Sequence, residues 1–241
     1  MAVLIPRTSE EFKHRTNVDH SNRLLWWATD RCASRYVHSV LHKAGAIFAY
    51  NDSIGQFNHG YSCEEDCEEY TIVCQTRHPA ARLLSHYFLA IFDREDYKNF
   101  SWGKGKFVEW KEFFYSHLQE DVEDEDVGYE LLTPVNEFYR ECKNRCSWWR
   151  EPDLLIRAEY LREDLKKMAN TFSTLNFDLT EVKSYLHMDK QDSGYSSKSM
   201  FKKKPIANYY TPDMLLELYE SNIWHEDYIL HDWGPTPESK Y

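Results

Sequence analysis

Apolar residues fall along the chain in short blocks, and the spacing inside each block points to the element it predicts. Leu24 to Ala28 is a continuous apolar run, the pattern of a buried strand. Thr29 to Ala33 reads as a tight loop. From Ser34 to Ala44 the apolar positions Val37, Val40 and Leu41 recur at helical spacing, and Gly45 predicts the stop. Ile47 to Tyr50 reads as a second short strand, followed by a loop holding Gly55, His59 and Gly60. Tyr70 to Thr76 is rich in β-formers and predicts another strand, broken at Arg77-His78-Pro79. Ala80 to Phe92 is strongly helical, with Pro79 where helix N-termini accept proline. Phe107 to Leu118 is an amphipathic helix, and Val135 to Cys142 has helical character.

Asp153 to Ala158 is a further buried-strand candidate, followed by helices at Glu159 to Thr174 and Leu179 to Met188. Residues 190–205 form a loop rich in Ser, Gly and Lys. Thr211 is a suitable N-cap before Pro212, for a helix reaching about Ser221. Strands alternating with helices predict an α/β fold, a central, mainly parallel sheet flanked by helices. Active sites in such sheets lie at the carboxyl ends of the strands. Residues 1–20 read as a polar arm. No repeat or linker divides the chain, so a single domain over 1–241 is expected.

Of the 241 residues, 42% are hydrophobic, enough to fold around a full core. The abundant aromatic residues serve cores and interfaces, and flat rings would also suit a sugar-binding cleft. The net charge of −11 argues against a nucleic-acid partner, which needs a basic surface. A local basic cluster beside a helix N-terminus still binds phosphates on an acidic protein. The acid is concentrated at Glu64 to Glu69 and Glu120 to Asp126. Both blocks read as solvated loops, with an acidic rim steering a cationic acceptor as the sharper alternative. No apolar run approaches the ~18 residues of a membrane span. Residues 1–19 lack the features of a signal peptide, so a cytoplasmic setting is expected. The pairs Cys63/Cys67 and Cys142/Cys146 would allow a four-thiolate zinc site. Their C-x3-C spacing departs from the usual C-x2-C, and ordinary thiols are the expectation in a reducing compartment.

Two turns carry candidate chemistry. Thr29-Asp30-Arg31-Cys32-Ala33-Ser34-Arg35 follows the first strand and leads into a helix. A strand, a tight turn and a helix N-terminus present backbone N–H groups to an anion, with Arg31 adding charge and Ser34 a hydroxyl. It is no Walker loop, because Gly-Lys-Ser/Thr is missing. The second turn, Arg77-His78-Pro79-Ala80-Ala81-Arg82-Leu83-Leu84-Ser85-His86-Tyr87, also follows a strand. Its plain reading makes Arg82 a surface charge and Ser85 a packed small residue. Two such turns in one small chain fit a ligand with two separated anionic groups.

The second turn resembles the 3′-phosphate motif of sulfotransferases that use 3′-phosphoadenosine 5′-phosphosulfate (PAPS), Arg-(Asp/Asn)-Pro-x-x-Arg-x-x-Ser-x-Tyr. Arg77, Pro79, Arg82, Ser85 and Tyr87 match in spacing, and His78 stands where Asp or Asn is common. The first turn is similar to the family's 5′-phosphosulfate loop through Arg31, Ala33 and Ser34. Asp30, Cys32 and Arg35 depart from it, the last two replacing hydroxyl residues. Ala at the Gly position is similar to the uronosyl 2-O-sulfotransferases. Leu155 to Leu165 and Tyr209 to Tyr228 resemble two further elements that support the family's fold, so the resemblance touches places from about residue 24 to 234. It implies a P-loop-like sulfotransferase fold, with residues 95–150 as an acceptor-side insertion.

The resemblance implies transfer of a sulfuryl group from PAPS to a hydroxyl acceptor, small molecule or glycan, leaving adenosine 3′,5′-bisphosphate. Arg31, Cys32, Ala33, Ser34, Arg35, Arg77 and Ser85 would bind the donor, and Lys198 and Lys202 would close a basic loop over it. Arg31 would also stabilise charge on the bridging oxygen. His59, in a stretch similar to the His-Gly-His of the uronosyl enzymes, would be the base. His78, His86 and the carboxylate of Glu159 are rivals. No metal is expected. A P-loop phosphotransferase or kinase, and a catalytically silent nucleotide-binding relative, are the alternatives. The sequence leaves the acceptor and the oligomeric state open.

Overall fold

The computed structural model describes residues 17–29, 31–48, 68–87, 109–123, 132, 134–137, 140, 150–180, 182, 206–230 and 233–234. The chain forms two compact units. A sheet unit comprises Ile5–Arg77 and Glu137–Leu186, and a helical unit comprises Met1–Leu4, His78–Asn136 and His187–Tyr241.

Among the described residues, four strands form the sheet, in the order β1 (Val18–Asp19), β2 (Leu24–Trp27), β3 (Thr71–Thr76), β4 (Leu154–Arg157). β2, β3 and β4 run parallel, with Trp27 opposite Cys74 and Thr76 opposite Arg157. β1 adds an antiparallel edge. All four residues of β2 are buried, which is why they read as an unbroken apolar run. Leu24, Trp26, Val73 and Ile156 make one face of the sheet a core with α1 (Ser34–Lys43) and α4 (Leu161–Thr171). Those helices supply Val37, Leu41, Leu161, Leu165 and Met168, at three- and four-residue spacings that form one stripe.

Local chemistry ends and joins these elements. At the close of α1, Gly45 at φ 100° donates its N–H to His42 O at 3.1 Å, and Ala46 donates to Leu41 O at 3.0 Å. This is a Schellman closure, and glycine suits its left-handed position. Between β4 and α4 lies a single 3₁₀ turn, Ala158–Tyr160. The buried Asp164 carboxylate accepts from the Arg157 N–H at 3.0 Å and from its Nε and Nη2, both at 2.9 Å. It thereby fastens α4 to the end of β4.

In the helical unit, α2 (Pro79–Tyr87), α3 (Trp110–Ser116), α5 (Pro212–Glu220) and α6 (His225–Leu230) share a core that includes Leu83, Phe113, Phe114, Leu218, Trp224 and Tyr228. Thr211 caps α5 by accepting the Met214 N–H at 3.2 Å, with Pro212 in the first turn. Asp227 accepts N–H bonds from Val135 and Asn136 at 2.9 and 2.7 Å. Residues 135–137 and 140 are helical; the rest of the expected 135–142 helix lies outside the described residues.

Three expectations change. Val18 and Asp19, assigned to a polar arm, belong to the sheet. Ile47 and Phe48 form no strand: the Ile47 N–H goes to Asp19 Oδ2 at 3.0 Å instead of a ladder partner. Leu179, Thr180 and Val182 are not helical; Asp178 Oδ1 takes the Thr180 N–H at 3.0 Å and its hydroxyl at 2.6 Å, a local turn. No helix among the described residues is long and apolar enough to cross a membrane.

Candidate functional site

Parallel pairing brings the carboxyl ends of β2, β3 and β4 to one edge of the sheet unit. The turn after β2 has an unusual backbone. Arg31 and Ala33 lie at φ 62° and 63°, a left-handed conformation that costs a residue with a Cβ roughly 1–2 kcal/mol. Both are followed closely by α1, which starts at Ser34. Tyr36 and Val37 donate to Ala33 O at 3.0 and 3.1 Å. The N–H groups of Ala33, Ser34 and Arg35 precede those bonds and are the donors a helix leaves unused at its start.

The next strand holds this turn in place. Thr29 Oγ1 donates to the Gln75 carbonyl at 2.6 Å. Gln75 Nε2 donates to Cys32 O at 3.0 Å, while its Oε1 accepts the Trp26 indole N–H at 3.1 Å. Arg77 Nη1 donates to Arg31 O at 3.2 Å. The Arg77 Nε lies 3.9 Å from Glu159 Oε1, and both side chains are 7% exposed. That separation allows charge attraction and is too long for a hydrogen bond. Arg77 Nε has no hydrogen-bond partner among the described residues. Among the described residues, the edge therefore combines backbone donors at the start of α1 with a buried guanidinium whose Nε has no hydrogen-bond partner.

Arg31, Cys32, Ala33, Ser34 and Arg77 thus come together in the sheet unit. Cys32 is fully buried and Ser34 nearly so, as the first residue of α1. Arg35 is the second helical residue. The chain passes into the helical unit at the Arg77–His78 bond. There Ser85 is half-buried on α2. Arg82, a surface charge on the plain reading of the sequence, is 2% exposed, with its guanidinium 6.0 Å from the Trp224 ring centroid. His59, Lys198 and Lys202 lie outside the described residues, as do Cys63, Cys67, Cys142 and Cys146. Cys32 and Cys74 are both fully buried.

His78 has structural work. The Ala80 N–H donates to its Nδ1 at 3.2 Å, which places the ring proton on Nε2, 3.1 Å from Gly234 O. It caps α2, the task Asp or Asn performs at a helix N-terminus. His86 is buried against Phe113 and His117, with ring centroids 5.9 Å away in each case. His117 donates from Nδ1 to Phe113 O at 2.8 Å and accepts the Leu132 N–H on Nε2 at 3.1 Å. Burial pushes its pKa down to about 4, only partly offset by the bond to Phe113.

Sequence reasoning placed Thr29 in the first turn with no role of its own and passed over Gln75. One signal for Gln75 was present: an amide inside an otherwise apolar strand is costly unless its hydrogen bonds are met. No family model matches this chain, and no curated protein or solved structure matches it significantly. Fold and site define an α/β protein with a mostly parallel open sheet and, at the carboxyl ends of its strands, a left-handed turn leading into α1.

Proposed function

We propose that this protein is a sulfotransferase that moves the sulfuryl group of PAPS to a hydroxyl acceptor, a carbohydrate by the similarity of its first turn. The observation that carries the reading is the meeting of the strained Arg31–Ala33 turn with the buried Arg77 guanidinium at the carboxyl edge of parallel strands. Backbone N–H groups, Arg31 and Arg77 are the donor types that phosphate and sulfate oxygens require. The acceptor oxygen would attack sulfur, the bond from sulfur to the bridging phosphate oxygen would break, and the acceptor proton would pass to His59. Arg31 would stabilise the negative charge left on the phosphate. Arg35, Ser85, Lys198 and Lys202 take donor-binding roles only from the resemblance.

Thermal unfolding with and without adenosine 3′,5′-bisphosphate tests the reading. Ligand at about 100 times its dissociation constant stabilises a fold by ~2.7 kcal/mol. A clear rise that AMP does not reproduce supports a two-phosphate site. No rise at millimolar ligand removes the reading. Arg77→Ala should weaken bisphosphate binding by about 1.5–3 kcal/mol, the range of a charge-assisted hydrogen bond. Unchanged affinity would take Arg77 out of the site.

A further inference from the structure

Two of the hydrogen bonds that fix the turn come from one residue of the neighbouring strand, one through its side chain and one through its main-chain carbonyl. Gln75 is fully buried in β3. Its amide orientation is settled by chemistry, because an indole N–H only donates: Oε1 must face Trp26, at 3.1 Å, and Nε2 must face Cys32 O, at 3.0 Å. A peptide group is planar and trans, so its carbonyl and its N–H point in opposite directions. Drawing the Cys32 carbonyl toward Gln75 therefore turns the Ala33 N–H away from β3. Ala33 is also the residue held at φ 63° immediately before α1. The Gln75 main-chain carbonyl takes the Thr29 hydroxyl at 2.6 Å, so one residue fixes both the start and the middle of the turn. Independently, Arg77 is 6% exposed, reaches the same turn through Arg31 O, and keeps an Nε with no hydrogen-bond partner among the described residues.

We propose that Gln75 is a positioning residue: its amide imposes the left-handed conformation on Ala33 and so aims the Ala33 N–H at a bound phosphate or sulfate group. The inference rests on the reading of this turn as an anion site. It assigns Gln75 no contact with the ligand.

The test uses the full chain, adenosine 3′,5′-bisphosphate and three variants. Gln75→Met keeps length and volume and removes the donor and acceptor. Ala33→Gly removes the penalty for positive φ. The third combines them. Gln75→Met should weaken bisphosphate binding about tenfold and lower the Tm. Ala33→Gly keeps the N–H, and its own affinity is the reference for the double variant. In the double variant, affinity should return to within about threefold of Ala33→Gly alone, because glycine takes up the conformation without being held.

Wild-type affinity in Gln75→Met would overturn the inference. So would a double variant that regains Tm and stays weak in binding, since Gln75 would then support the fold alone. If the wild type binds no bisphosphate, the functional reading fails, and the Tm values still decide the positioning role. Ala33→Gly must then raise Tm less in the Gln75→Met background than in the wild type, because without the amide Ala33 is no longer held in the strained conformation; equal effects would overturn it.

Discussion

At the scale of single residues, histidine takes on capping and stapling tasks. His78 accepts from Ala80 and donates to Gly234, so one ring joins the start of α2 to a segment far along the chain. His78→Ala removes the cap and should cost about 1 kcal/mol, with His78→Asn recovering most of it. Chemical denaturation of the two variants measures the difference, and equal losses would mean that the cap contributes nothing. His117 predicts a pH response. Its pKa in the fold is about 4, below the 6.5 of a free imidazole, so the unfolded chain binds a proton first as pH falls. Stability from this residue is complete above pH 6.5 and is lost between about 6.5 and 4. The loss is on the order of 3 kcal/mol. Protonation would also set an N–H on Nε2 against the Leu132 N–H. Denaturant midpoints from pH 7 to pH 4 should show this slope, and His117→Gln should flatten it; an unchanged slope would assign the effect to other groups.

Among elements, what could be read in the sequence depended on how far apart the cooperating residues lie. β2, β3 and α1 were legible because buried runs and helical spacing are local patterns. Gly45 was legible as a stop, and its φ of 100° is the reason. Gly45→Ala would meet no atom within 4 Å, so its cost is backbone strain alone, about 1 kcal/mol. A Tm fall of a few degrees should register it. β1 was not legible, since two residues carry no period. The apolar Ile47 and Phe48 looked like a strand, but the Asp19 carboxylate takes the Ile47 N–H. Burial opposes ionisation of Asp19, and hydrogen bonds from Ser21, Asn22 and Ile47 outweigh it, holding the carboxyl below its usual range. In the candidate site, Arg31 and Arg77 announced themselves as cations in turns after strands. Gln75 did not, because its partners lie more than forty positions away: Trp26 at a separation of 49 and Cys32 at 43.

For the molecule as a whole, each unit is assembled from separated stretches of chain. The sheet draws β4 and α4 from residues 154–171, far beyond β3. A chain ending at Asn136 keeps β1 to β3 and lacks the strand that pairs with β3 through Val73 to Thr76. It should lose the cooperative thermal transition of the full chain, as followed by circular dichroism; a sharp transition would show that β4 lies outside the cooperative unit.

The burial of Cys32 inside the turn has a practical consequence. A fully buried thiol reacts with an alkylating reagent only when the surrounding backbone opens. Site-resolved labelling of Cys32 would therefore act as a clock for opening of the turn, with the equally buried Cys74 in β3 as its internal reference. A ligand seated on the turn would slow the first clock and leave the second running.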